Sequence, residues 1–220
     1  MNYILYSDGG GNGQTDISAA CIIQDLKNNH QFNLAGYLGK GTNNEAEIVA
    51  GLLGLSAISA LILKDPEQAF SSTGIIVKWV ADSEYVLKGA SEYITKWVKN
   101  NWRKSDDKLI KNLGLWKTYL CLKEGLQGGI GVMTEHVRGH SGHHMNELCD
   151  NAATWTRLQA PHYLNPDEPH MSVSVQIPFK TKEDITSTEW VLLDARPWLE
   201  SLRTNEPRKE DSKFYVNAFS

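Results

Sequence analysis

The chain has 220 residues, 41% hydrophobic and 22% charged, a composition that excludes collagen-like, low-complexity and disordered classes. No continuous apolar run reaches about 18 residues, and the N-terminal stretch MNYILYSDGG lacks a basic n-region, so neither a membrane span nor a signal peptide is expected. The net charge is −4 and Cys21, Cys121 and Cys149 are scattered, which argues against a disulfide framework and for reduced thiols in a cytoplasmic protein.

Three strands are predicted first, over 3–8, 18–24 and 31–38. Turn-forming residues separate them, among them the run Gly9-Gly10-Gly11-Asn12-Gly13, so antiparallel hairpins follow. That glycine run has no lysine at P-loop spacing, which removes a nucleotide-binding reading. Thr42 with Glu45 three positions later forms a capping-box signal. Behind it Ile48, Val49, Leu52, Leu53, Leu55, Ile58, Leu61 and Ile62 recur at helical spacing and predict a long, largely buried helix ending before Asp65-Pro66.

A β-branched run over 75–81 predicts a central strand ending at Asp82. A basic, aromatic helical stretch over 83–102 follows, then a helix over 112–125, a strand over 131–137 and a helix over 146–157. The alternation gives an α/β architecture with a partly antiparallel sheet. Segment 88–117 holds eight basic residues against three acidic ones, a net of +5, which suits phosphate even on an acidic chain. Beyond Ala160-Pro161 the pattern breaks. Residues 161–220 carry a net charge of −3, one strand candidate over 172–177 and one helix candidate over 195–202. This extension is expected to pack on the domain or to mediate self-association, with Trp190, Trp198, Phe214 and Tyr215 as anchors.

The chemistry-bearing pattern is acidic. Asp8 and Asp82 close strands, Glu47 lies one turn inside a capped helix, and Asp150 lies on the helix after the last strand. Strand ends and helix starts meet at one rim of an α/β sheet. Carboxylates gathered there need a bridging cation, and all-oxygen ligands select Mg²⁺ or Mn²⁺. Glu45 is accounted for by the capping box, whereas Glu47 is not. Four histidines, His136, His140, His143 and His144, sit in or beside a glycine-rich loop, without the fixed four-ligand frame of a zinc site.

Tyr6-Ser7-Asp8-Gly9-Gly10, Thr42-Asn43-Asn44-Glu45-Ala46-Glu47, Ala81-Asp82-Ser83-Glu84-Tyr85-Val86 and Val137-Arg138-Gly139-His140-Ser141-Gly142-His143, with Asn146-Glu147-Leu148-Cys149-Asp150, together resemble the type 1 ribonuclease H family over about residues 1–160. The resemblance implies a five-stranded mixed sheet flanked by helices, with residues 161–220 as an extension of unknown role. It implies an endonuclease that cuts the RNA strand of RNA–DNA hybrids with two Mg²⁺ (or Mn²⁺) ions, leaving 5′-phosphate ends. By position Asp8, Glu47, Asp82 and Asp150 match the metal-binding carboxylates, Glu147 an acidic residue near the second metal, and His140 a mobile-loop histidine that helps release product or relay a proton. Gly9, Gly10 and Gly11, with Glu47, match the groups that read the RNA 2′-hydroxyl, Asn12, Asn43 and Asn44 match positions that touch the minor groove, and Thr42 and Asn12 match a pocket for a DNA phosphate. Tyr93, Trp97, Lys111, Asn112 and Trp116 match or flank the basic handle that grips the DNA strand. The chain departs from the family pattern at Glu45, where a basic residue is common, at Glu84, where glutamine is common, and in a shorter turn after Asp8. A non-catalytic duplex binder and a related nuclease acting on another duplex are the two alternatives from other classes.

Overall fold

A computed structural model describes residues 1–11, 15–65, 74–126, 129–165, 167, 172–180 and 185–203. β1 (Tyr3–Gly10), β2 (Asp16–Asp25) and β3 (His30–Lys40) form an antiparallel meander. α1 (Asn43–Lys64) follows, then β4 (Ile75–Ala81), which pairs in parallel with β1. The basic stretch forms α2 (Glu84–Lys88), a π-helical segment Gly89–Tyr93 and α3 (Ile94–Lys99). α4 (Leu113–Glu124), β5 (Ile130–His136, parallel to β4) and α5 (His144–Gln159) complete the part legible as one pattern.

The sheet then gains two strands from the extension. β6 (Ser172–Lys180) and β7 (Ile185–Asp194) form a hairpin, β7 pairs in parallel with β3, and α6 (Arg196–Arg203) closes the described chain. The order is β5-β4-β1-β2-β3-β7-β6, so the mixed α/β sheet has seven strands rather than five. The five expected strands are all present, and the addition covers the outer edge of β3, an edge that would otherwise present unpaired amides and carbonyls.

Two apolar layers sandwich the sheet. On one face α1, α4 and α6 bury Leu5, Ile23, Val77, Trp79 and Trp116. On the other α5 packs on Ala20, Ile22 and Ala35, joined by Val175, Ile177, Trp190 and Leu192 of the extension. The extension thus contributes to both cores: Trp198, Leu199 and Leu202 of α6 enter the first and the β6–β7 hairpin the second. Of the four expected anchors Trp190 and Trp198 are buried, while Phe214 and Tyr215 lie outside the described residues.

α1 begins where expected. Thr42 Oγ1 accepts from the Glu45 amide at 3.3 Å while the Glu45 carboxylate accepts from the Thr42 amide at 2.8 Å. The helix holds an 18-residue window of mean hydropathy 2.1, enough by length and composition to cross a membrane, although Ser56 and Ser59 interrupt its apolar run. Protein covers 83% of that window, so its apolarity is used by the core. It lies close to the sheet because glycines face the bulkiest strand residues. A Cβ on Gly51 would stand 1.7 Å from Trp79 Cζ2, and one on Gly54 would stand 2.1 Å from Leu5 Cδ1. The buried Trp79 indole N–H is satisfied by Ser7 Oγ at 2.8 Å.

Candidate active site

β1 carries Asp8 to the sheet's rim in the middle of the molecule, and the parallel neighbour β4 delivers Asp82 just past its own end. The first turn of α1 brings Glu47 against the same rim. That approach requires the absence of a side chain at Gly9, where a Cβ would lie 2.3 Å from the Glu47 amide nitrogen and 2.6 Å from the Ala46 carbonyl carbon. The result is a cluster in which Asp8, Glu47 and Asp82 each offer an oxygen within 4.8 Å of the others.

Asp8 and Glu47 are buried and Asp82 is partly exposed. Like charges at that separation repel by roughly 3–4 kcal/mol at an effective dielectric near 20. Burial first, then the neighbouring Glu47, Asp82 and Asp150, push the Asp8 carboxyl far above its ordinary range. Burial and Asp82 do the same to Glu47, against an opposing hydrogen bond from Gly9. Among the described residues no lysine or arginine forms an ion pair with Asp8, Glu47 or Asp82. The cluster is therefore short of positive charge and offers only hard oxygen donors, the requirement of a divalent cation of the Mg²⁺ type.

Asp150, on α5, stands beside this trio rather than inside it. Burial raises its carboxyl, His140 opposes that, and Asp82 and Glu147 add to it. Its Oδ2 is 3.7 Å from His140 Nδ1. His140 is exposed and holds a left-handed φ of +53° in the loop between β5 and α5. The loop presses on the site, since a Cβ on Gly139 would lie 2.6 Å from Asp82 Oδ2. His136 closes the same corner, with its ring nitrogen 3.1 Å from the Asp82 carbonyl oxygen. Glu147 turns toward the loop, accepting from the Gly142 amide at 2.8 Å. His143 packs its ring against Tyr6, with centroids 5.6 Å apart, and its buried Nδ1 has no hydrogen-bond partner among the described residues.

The expected substrate residues divide by position. Gly9, Gly10 and Gly11 line the rim, and Asn12 lies outside the described residues. Thr42, Asn43 and Asn44 are exposed at the α1 start, and Asn43 reaches Glu47 by a long 3.5 Å contact. Tyr93 and Trp97 are half-buried with ring centroids 5.7 Å apart, and Lys96 lies over the Tyr93 ring. Lys111 is exposed, and Asn112 caps α4 at a left-handed φ of +57°. Trp116 is fully buried, so its contribution to any groove is made through the rings it supports, Tyr85 and Trp97. Tyr85, which the sequence pattern does not single out, is the hub of this cluster: its hydroxyl accepts from both Asn112 Nδ2 and Trp116 Nε1 at 3.4 Å. The π-helical segment belongs to the same packing, because a Cβ on Gly89 would lie 2.2 Å from Trp116 Cη2.

The departure at Glu45 also has a partner that no local pattern announces. Arg203 of α6 donates through Nε to Glu45 Oε1 at 2.8 Å and through Nη2 to the Lys40 carbonyl at 2.8 Å. Burial tends to raise the Glu45 carboxyl, but the Arg203 and Thr42 hydrogen bonds outweigh it and hold it below its ordinary value. A cavity of about 280 Å³ lies beside this pair, lined by Glu45, Arg203, Leu202, Asn112 and the first turn of α4.

Comparison with known proteins gives the same picture from outside the fold. Two curated relatives, both named Ribonuclease H, are similar over most of the chain. That of Pseudoalteromonas atlantica is 34% identical over 66% of this chain and 84% of its own length. That of Thiobacillus denitrificans is 31% identical over 72% of this chain and 95% of its own length. Among solved structures, LC9-RNase H1, described as a type 1 RNase H with the type 2 active-site motif, shares the fold with a TM-score of 0.54 at 21% identity, over 70% of this chain and 71% of that one. A family model described as RNase H matches residues 1–157, all of the chain that carries the acidic cluster and its loop, and the chain belongs to the RNase H family of ribonucleases.

Proposed function

We propose that this ribonuclease H hydrolyses the RNA strand of RNA–DNA hybrids with two divalent cations, leaving 5′-phosphate ends. The observation that carries this reading is the mutually repelling trio Asp8, Glu47 and Asp82, the first two buried, with Asp150 beside it, at the rim where Gly9 and the His140 loop converge.

Asp8, Glu47, Asp82 and Asp150 would hold the cations, which when bound activate a water and stabilise the leaving oxygen of a phosphodiester. The protein's own part is placement. The Gly9 backbone fixes Glu47 by direct packing and a hydrogen bond. Backbone groups of Gly9 to Gly11, beside the Glu47 carboxylate, would read the ribose 2′-hydroxyl that distinguishes RNA from DNA. His140, exposed and paired loosely with Asp150, is suited to hold or pass a proton at its imidazole while the loop opens toward solvent. The cations around Tyr93 and Trp97 would grip the DNA strand through phosphate, a contact that weakens as salt rises. Glu147, tied to the Gly142 amide, would act on the cations through the loop.

The test is cleavage of a labelled hybrid by the full chain in Mg²⁺ or Mn²⁺. RNA fragments with 5′-phosphate ends are expected, with Asp8→Asn lowering the rate by at least about a hundredfold, the scale of losing a metal-positioning group. Cleavage that is absent, or indifferent to Asp8→Asn, defeats the proposal. Intact hybrid bound tightly without metal would instead favour a non-catalytic duplex binder.

A further inference from the structure

We propose that Arg203, supplied by the segment after residue 160, is a positioning residue for Glu47, acting through the first turn of α1. This rests on the reading of Glu47 as a metal-holding carboxylate.

The geometry is a clasp. The Arg203 guanidinium spans two elements that must keep a fixed relation for Glu47 to reach the rim. Nε donates to Glu45 Oε1 and Nη2 donates to the carbonyl of Lys40, the last residue of β3. The other oxygen of Glu45 accepts from the Thr42 amide at 2.8 Å and from the Thr42 hydroxyl at 3.0 Å. One carboxylate thus ties the cap of α1 to α6, and one guanidinium ties that carboxylate to the end of β3. Glu47 is two residues further along the same turn, and Asn43, on that turn too, touches it. The clasp is closely packed, since a Cβ on Gly41 would lie 2.9 Å from Arg203 Nη2 and 3.1 Å from Glu45 Oε2. Glu200 receives the third arm of the guanidinium and steadies it from its own helix.

α6 is itself firmly seated. Leu199 and Leu202 are fully buried, and at its start Arg196 donates through Nε to the buried Asp194 at 2.8 Å and lies over the Tyr37 ring. The arginine is therefore presented by a helix anchored in the core rather than by a surface strand end. A lysine there would reach one partner, whereas the planar fork reaches both.

The experiment uses the full chain and two variants, Arg203→Met, which keeps the packing stem, and Arg203→Lys, which keeps the charge. Three measurements are made: the Mg²⁺ concentration giving half-maximal thermal stabilisation, kcat and KM for hybrid cleavage at low and saturating Mg²⁺, and hydrogen exchange of the 45–47 amides without metal. Arg203→Met is expected to raise the Mg²⁺ midpoint by about tenfold, the lower end of what a ligand-orienting group supplies, with Arg203→Lys between it and the wild type. Its kcat falls at low Mg²⁺ and recovers at saturation, KM for the hybrid holds, and the 45–47 amides exchange faster. An unchanged midpoint with a uniform fall in Tm makes Arg203 purely structural and overturns the proposal. A raised KM at unchanged midpoint makes it a substrate contact and also overturns it. If Arg203→Met fails to fold, Arg203→Lys carries the same comparison. A wild type that neither binds Mg²⁺ nor cuts hybrid defeats the function proposed above, and the exchange measurement then decides the clasp alone, with unchanged 45–47 amides overturning it.

Discussion

Two buried carboxyls, Asp8 and Glu47, are held in a place that favours their neutral form, by burial and by the acidic neighbours around them. Their folded-state titration lies above the value of about 4 that they have in the unfolded chain. Between those two values the folded state binds more protons, so stability is fully present below the ordinary carboxylate range and is lost as pH rises toward the folded value. Glu45 has the opposite sign, but its contribution is complete once pH exceeds the ordinary range. Without metal the Tm is therefore expected to fall between about pH 5 and about pH 9, and saturating Mg²⁺ should remove most of that fall, read by thermal melts in chelator and in Mg²⁺. Asp8→Asn should raise the metal-free Tm at the upper pH by about 2–4 °C, the equivalent of about 1 kcal/mol in a domain of this size, while lowering cleavage at least about a hundredfold. A variant that loses both activity and metal-free stability would show that Asp8 is held in place by something other than the need for a cation.

At the scale of elements, α1 sets the position of the site because its two glycines let it lie against β1 and β4. Gly51→Ala would gain about 1 kcal/mol of helix propensity, but the added Cβ stands 1.7 Å from the Trp79 ring, so overpacking wins. A net loss of about 1–3 kcal/mol is expected in urea unfolding, with the Trp79 emission shifted; an equal or greater stability would mean that the ring can retreat. The start of α1 is legible in the sequence because Thr42 and Glu45 are three apart, and that same spacing assigns Glu45 to the cap and leaves Glu47 for the rim. The strand end before Asp82 is legible because the β-branched run of β4 stops there, whereas β1 runs two residues past the end expected at Asp8, since Gly9 and Gly10 keep pairing with β2. Other features are hidden. β7 reads poorly because its first half, Ile185 to Glu189, is largely exposed and its partner β3 lies some 150 positions earlier. Tyr85 and Trp116 are hard to rank for a similar reason: both are aromatic residues in or beside a basic stretch, and only packing distinguishes the buried ring from the one with a polar end at the surface. The Arg203–Glu45 contact, 158 positions apart in sequence, leaves no local signal at all.

On the scale of the whole molecule, the extension and the first 160 residues share two cores. Trp190 sits on the α5 side and Trp198 on the α1 side. The full chain is expected to unfold in one transition, with tryptophan emission and far-ultraviolet circular dichroism coincident in urea. A chain ending at Gln159 would bare the Leu34–Tyr37 edge of β3 and the apolar surfaces beneath Trp190 and Leu202. It should be less stable and prone to associate, measured by its urea midpoint and by light scattering. A truncated chain of unaltered midpoint would make the extension an appendage rather than part of the core.

The apolarity of α1 carries a consequence for how the protein is made. Ribosomal synthesis delivers β1, β2 and β3 before it, so one flank of the helix meets a partner as soon as it forms. The opposite flank waits for Trp79 and then for α4, and through that interval the nascent chain displays a segment that by length and hydropathy could enter a bilayer. Apart from Glu47, the charges lie at its two ends, Glu45 in the first turn and Lys64 in the last, and the stretch between them is fully covered only once its second wall is made.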